Sequence, residues 1–78
     1  MPRIEVVPSA ESRAFLLATI DHELLVARTC RDANRATARA AHLNGAPMVA
    51  HLATSRARYQ SHQIDRLLEQ RLEIAEEQ

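Results

Sequence analysis

One short stretch, Asn44-Gly45-Ala46-Pro47, interrupts a chain that otherwise favours helix from residue 9 onward. It contains the only glycine of the 78 residues and the only proline after position 8. Glycine readily adopts the left-handed conformation that ends a helix, and proline is favoured in the first turn of a helix. The sequence therefore predicts a turn at 44–47 between two long helices, residues 10–43 and about 47–77.

The predicted fold is all-α, an antiparallel helical hairpin of coiled-coil type over residues 9–78, preceded by an extended arm at residues 1–8. The arm is rich in β-branched residues between two prolines. The sequence leaves three arrangements of the arm undecided: paired with the arm of a second copy, packed along a helix, or loose. A rival prediction breaks the first helix near residues 31–34, where helix propensity is weakest, to give three helices.

Folding the chain about the turn places large aliphatic side chains opposite one another. Leu17 then faces Ile74, and Leu24 faces Leu67, whereas small residues face each other near the turn. We call the end of the hairpin away from the turn the open end. We expect the main core there, since each buried Leu or Ile contributes roughly 1.5–3 kcal/mol.

The first helix has two apolar faces, which predicts two packing partners, the second helix and a second subunit. Two antiparallel helices share a single seam and small domains are marginally stable, so we expect a homodimer in the form of a four-helix bundle. The face assigned to the dimer interface loses its apolar character after residue 27 and contains Leu16, Leu17, Ile20 and Leu24. The other face runs the whole length through Phe15, Ala18, Leu25, Val26, Ala33, Ala36, Ala40 and Leu43. On the second helix the predicted apolar face contains Val49, Ala53, Ala57, Ile64, Leu68, Leu72 and Ala75.

Charge is segregated along a chain whose formal net charge is zero. Residues 1–27 carry two arginines and four acids, residues 28–58 six arginines and one acid, and residues 59–78 two arginines and five acids. A folded hairpin therefore has a basic half near the turn and an acidic open end. Spacings of three and four residues place the guanidinium groups of the first helix on one face, with further candidates nearby on the second. The predicted partner-binding residues are Arg28, Arg31, Arg35, Arg39, Arg56, Arg58 and Tyr59.

This basic face has several interpretations. There are four alternatives: a solvated surface, a site for an acidic protein, a site for nucleic-acid phosphates, or the contact for the acidic end of a second copy. We favour an acidic protein partner because the total charge is neutral, aromatic residues are scarce and no known nucleic-acid readout motif is present. The predicted function is a small interaction protein: an adaptor, inhibitor, chaperone or assembly factor. The alternative is a dimeric nucleic-acid-binding regulator that uses the same arginines.

No sequence pattern indicates catalysis or a cofactor, so we expect a non-enzymatic protein. The chain has no phosphate-binding glycine loop or nucleophile elbow, and its Cys and His residues lack metal-ligand spacing. The single Cys30 favours a reducing compartment, and no apolar run is long enough for a membrane span. We expect a cytoplasmic protein, and the absence of lysine beside fourteen alanines indicates a GC-rich bacterial or phage genome.

Overall fold

The computed structural model describes residues 10–76, which form two antiparallel α-helices. Helix α1 spans Ala10–Leu43 (34 residues) and helix α2 spans Pro47–Glu76 (30 residues). The described part of the chain contains no strand. The predicted hairpin is confirmed, and α1 continues through residues 31–34 without the break that the rival prediction requires. The predicted N-terminal arm lies outside the described residues.

The turn closes α1 through a glycine and opens α2 on a proline. Gly45 has a φ of 70° and its N–H donates to the carbonyl of His42, while the N–H of Ala46 donates to the carbonyl of Ala41. These two bonds form a Schellman motif, which satisfies carbonyls that the end of a helix leaves unpaired. Pro47 follows at the first position of α2, where its missing N–H costs no helical hydrogen bond.

The two helices meet along a seam whose members recur at alternating steps of four and three residues. This spacing averages 3.5 residues and is the repeat of a coiled coil. On α1 the buried or half-buried residues are Arg13, Leu17, Ile20, Leu24, Ala27, Arg31, Asn34, Ala38 and Ala41. On α2 the same repeat contains Ala50, Ala53, Ala57, Gln60, Ile64, Leu67, Arg71 and Ile74, and Ser61 and Gln63 beside it are half-buried.

The seam changes character along its length. Towards the open end Ile20, Leu24, Ala27 and Ile64 form the buried aliphatic cluster, and Leu67 and Ile74 pack against it. In the middle the Asn34 amide (Nδ2) donates a hydrogen bond of 2.9 Å to Oε1 of Gln60. Near the turn the buried residues are the alanines Ala41, Ala53 and Ala57.

The structure corrects the predicted dimer interface. Ile20 and Leu24 are buried within the hairpin, and Leu17 is half-buried at a seam position. Ile20 and Leu24 therefore pack within one chain and are not free to contact a second subunit, whereas Leu16 remains 40% exposed. The prediction assigned the longer apolar face to α2, but Leu25 and Val26 of that face are exposed.

The predicted face of α2 is right in its middle and wrong at its ends. Ala53, Ala57 and Ile64 are buried, whereas Val49 and Leu72 are about half exposed. An ideal straight helix rotates about 20° per seven residues away from a 3.5-residue repeat. The predicted face assumed 100° per residue, as in a straight helix. It therefore coincides with the seam in the middle of α2 and departs from it towards both ends of the helix.

No helix among residues 10–76 combines the length and apolarity that a membrane crossing requires.

Leu24 and Leu25 provide a matched pair for testing the seam, because they are neighbours with 3% and 62% exposure. We expect Leu24→Ala to lower the free energy of unfolding by about 2–5 kcal/mol through lost burial and a residual cavity. Leu25→Ala should change it by no more than about 0.5 kcal/mol. Urea unfolding followed by circular dichroism, at one protein concentration, measures both. Equal losses would contradict the assigned seam.

Gly45 tests the turn. A Cβ added there meets nothing within 4 Å, so any cost of Gly45→Ala comes from the left-handed backbone. We expect a loss of about 1–2 kcal/mol in unfolding free energy. Gly45→Asn is the control and should lose less, because asparagine tolerates this conformation. The same unfolding measurement applies, and a neutral alanine variant would mean that the turn rearranges freely.

Candidate functional site

Three arginines from both helices line one shallow groove near the turn. Arg35 and Arg39 come from α1 and Arg58 from α2. Small side chains line the rest of this groove of about 250 Å³: Ala38, Thr54, Ala57 and Ser61. The structure therefore brings Arg58 close to two arginines that lie 19 or more positions before it in the sequence.

Local sequence explains how this groove forms. Arg35 and Arg39 are one helical turn apart, so their side chains project from the same side of α1. Ala38 and Ala57 are small seam residues, which let the helices approach closely and bring Arg58 towards the other two arginines. The groove's width is thus set by alanine packing.

The arginines are the free hydrogen-bond donors of the groove. The hydroxyl of Thr54 donates to the carbonyl of Ala50, and that of Ser61 to the carbonyl of Ala57, both within α2. Neither hydroxyl hydrogen is therefore directed to a ligand. Among residues 10–76, the three groove arginines have no carboxylate within ion-pair distance. Their guanidinium donors face solvent.

Arg31 does not belong to this group. It occupies a seam position, its side chain is only 24% exposed, and its Nε donates to Oδ1 of Asp32 at 3.1 Å. Arg28 is exposed, one helical turn before Asp32 and seven residues before Arg35. The predicted row of four arginines on α1 is therefore one paired seam residue and three exposed residues beside it.

Arg56 and Tyr59 project from other sides of α2 than Arg58 does. Residues one or two positions apart on a helix, as Tyr59 and Arg56 are from Arg58, do not share a side. Tyr59 lines a different groove, of about 480 Å³, together with Val26, Cys30 and Gln63. The predicted grouping of Arg56 and Tyr59 with the α1 arginines is not what the structure shows.

Exposed leucines continue the side of the hairpin that carries the groove arginines. Leu25, Leu68 and Leu72 are 62%, 41% and 59% exposed. Residues seven apart share a side of a coiled coil, and such steps connect Leu25 with Arg39 and Leu72 with Arg58. We call this side the arginine flank; its members are Arg28, Arg35, Arg39, Arg58, Leu25, Leu68 and Leu72. Sequence reasoning missed the leucines as surface residues because it placed Leu25, Leu68 and Leu72 in apolar packing faces.

An ion pair between the helices lies beside these leucines. Nε of Arg71 donates to Oδ1 of Asp21 at 2.8 Å. This hydrogen bond, and the negative charge of Asp21, raise the pKa of the Arg71 guanidinium above its ordinary value. Both side chains are about half exposed, at 42% and 53%, so the pair contributes little to stability.

The described residues offer no metal centre. Within residues 10–76, no group of three or more His, Cys, Asp or Glu side chains lies close enough to hold a metal ion. Cys30 is a free, exposed thiol.

Comparison with known proteins gives no relative: no family model matches the chain, and neither does any curated protein or solved structure.

Proposed function

We propose that the arginine flank binds an acidic, amphipathic helix of another protein. The chain then acts without catalysis, as an adaptor, inhibitor, chaperone or assembly factor. The observation that carries this proposal is the groove in which Arg35, Arg39 and Arg58 meet with no carboxylate partner among the described residues.

The chemistry of these arginines favours carboxylates. A guanidinium group is planar, permanently charged and able to donate two parallel hydrogen bonds to one carboxylate. Three such groups on two helices give a ligand a fixed pattern of contacts. An acidic side chain on a partner helix would neutralise charges that now repel one another.

The leucines of the arginine flank supply the apolar part of the contact. Leu72 lies two seven-residue repeats from Arg58, which is about 21 Å along a helix. A partner helix of four turns therefore spans both the groove and the leucines. Helices that bind in grooves use this combination of apolar anchors at turn spacing and a charged rim.

The same side of the hairpin also carries acids, which favours a protein over nucleic acid. Asp21 and Asp65 lie seven residues from Arg28 and Arg58, on the same side of their helices. Nucleic-acid backbones require a predominantly basic surface, and exposed leucines contribute little to phosphate binding. A partner with both acidic and apolar residues matches the whole flank.

A designed peptide tests the proposal. The probe is a labelled helical peptide with leucines at turn spacing and glutamates between them, titrated by fluorescence anisotropy. We expect binding that the triple variant Arg35→Gln, Arg39→Gln, Arg58→Gln weakens at least about tenfold, from three ion pairs of roughly 0.5 kcal/mol each. Thermal unfolding of the variant should match that of the parent chain, because these arginines have no described ion pair.

The control removes arginines from elsewhere on α2. Arg56→Gln with Arg66→Gln should leave peptide affinity within about twofold, since neither residue lies on the arginine flank. No binding by the parent chain, or an equal loss in the control, would refute the proposal. If duplex DNA binds more tightly than the peptide, and log K falls against log salt with a slope near −3, the nucleic-acid alternative replaces it.

A further inference from the structure

The turn end of the hairpin exposes apolar side chains of both helices. Leu43 at the end of α1 is 84% exposed and Met48 near the start of α2 is 73% exposed, the two highest values among the large apolar residues of 10–76. Val49 and Leu52 are 49% and 54% exposed. We call this end the tip; it consists of Leu43, the turn at 44–47, Met48, Val49 and Leu52. Apolar residues gathered at one place, rather than scattered singly, mark an interaction site.

The tip lies beyond the reach of the segments that adjoin the two helices. Helix α1 has 34 residues, so it is about 50 Å long at 1.5 Å per residue. The nine residues before it span at most about 32 Å even when fully extended. Residues 77–78 adjoin α2 at the same open end. Neither of these segments can therefore cover the tip of its own chain.

Cations without acids surround the tip. Arg39 lies one helical turn before Leu43, and Arg56 lies one turn after Leu52. Among residues 10–76, neither arginine has a carboxylate within ion-pair distance. Residues 33–64 contain four arginines and no aspartate or glutamate, so no acid of α1 lies within about 16 Å of Leu43 along the helix. An occupant of the tip therefore has to combine apolar matter with negative charge.

The most exposed apolar side chains of the tip project in opposite directions. Steps of seven residues place Leu43 in line with Ala36 on the back of α1, the side that faces away from the seam. The same step places Met48 in line with Ser55 on the back of α2. A partner helix or groove contacts one side of the hairpin and would leave one of these two side chains in water. A lipid interface is fluid and encloses the whole tip, so it covers both.

We propose that the tip inserts into the interface of a membrane that contains anionic lipids. Leu43, Met48 and Leu52 enter the boundary between headgroups and acyl chains, which amphipathic elements penetrate by about 5–10 Å. Arg39 and Arg56 are each one helical turn, about 5.4 Å, from an apolar residue of the tip, which places them at the level of the headgroups. The guanidinium fork matches the geometry of lipid phosphates, and the long arginine stem can lie along the apolar layer.

The charge segregation of the hairpin favours approach with the tip first. The molecule is 64 Å long, and residues 65–76 at its open end carry four acids and two arginines. An anionic surface therefore attracts the tip and repels the open end. The leucines of the arginine flank lie towards the open end and stay outside the lipid. Insertion of the tip is thus a second interaction, independent of the helix that we propose for the arginine flank.

Vesicle binding tests the proposal. The probes are vesicles of phosphatidylcholine alone and vesicles with about one third phosphatidylglycerol, followed by co-sedimentation at low salt. We expect the chain to bind the anionic vesicles, and to bind phosphatidylcholine alone at least about tenfold more weakly. Failure to bind anionic vesicles at low salt, or equal binding to both kinds, would overturn the proposal.

Two pairs of exposed residues give matched variants. Leu43→Gln with Met48→Gln should weaken vesicle binding at least about tenfold, because apolar surface no longer leaves water on insertion. Leu25→Gln with Leu72→Gln should change it by less than about twofold, since these residues are 62% and 59% exposed but lie away from the tip. Glutamine is a good helix former, and none of the four side chains is buried, so both variants should fold.

The same two variants separate this proposal from that for the arginine flank. Binding of the acidic helical peptide should show the reverse pattern, with affinity lost in Leu25→Gln with Leu72→Gln and kept in Leu43→Gln with Met48→Gln. Vesicle binding that is unchanged in the tip variant, or equally weakened in both variants, would contradict insertion of the tip whatever the peptide does.

A single tryptophan reports on orientation, because the chain has none of its own. In Met48→Trp we expect anionic vesicles to shift the emission to shorter wavelength, and brominated acyl chains to quench it. In Leu72→Trp, at the open end, neither change should occur. Equal quenching in both variants would show that the hairpin lies flat on the membrane. Quenching in neither variant of a bound chain would show attachment by charge alone, and either result would overturn tip-first insertion.

Discussion

The register of the seam between α1 and α2 determines which side of the hairpin each of the other side chains occupies. Alternating steps of four and three residues turn one row of side chains on each helix inward, from Leu17 to Ala41 and from Ala50 to Ile74. All remaining side chains are then assigned to the back of a helix or to one of two flanks. The groove lined by the three arginines and the groove lined by Tyr59 lie on different sides of the hairpin, because seam geometry separates residues as close in sequence as Arg58 and Tyr59.

The composition of the seam divides the hairpin into two unlike halves. Aliphatic side chains around Leu24 and Ile64 hold the open end together by burying apolar surface. Alanines near the turn bury little surface but allow the helix axes to approach, which gathers arginines from both helices around one groove. The Asn34–Gln60 hydrogen bond lies between the halves. It favours this register, since sliding the helices would leave partly buried amides without partners.

Local signals in the sequence were sufficient to predict the two helices and the turn between them. Gly45 and Pro47 act within a few residues, so the boundaries at Leu43 and Pro47 follow from them, and the matched aliphatics at the open end supported the hairpin. The faces were harder to predict because α1 has two apolar rows and the seam continues through Asn34 and small alanines, which carry a weak hydropathy signal. Whether Arg58 lies near the arginines of α1 depends on which faces of the two helices pack together. Residue spacing along one helix does not determine this, so the groove could not be predicted from the sequence.

The placement of the alanines has a consequence for how the hairpin folds. Contacts that form first on zipping from Gly45 join small residues such as Ala41 and Ala53, which release little free energy on burial. The first large gain comes when Leu24 meets Ile64, much farther along the chain, although doubling the closed loop adds only about 0.6 kcal/mol. We therefore expect the rate-limiting step to be the encounter of these distant aliphatics. In kinetic terms, substitutions at Leu24 should slow folding.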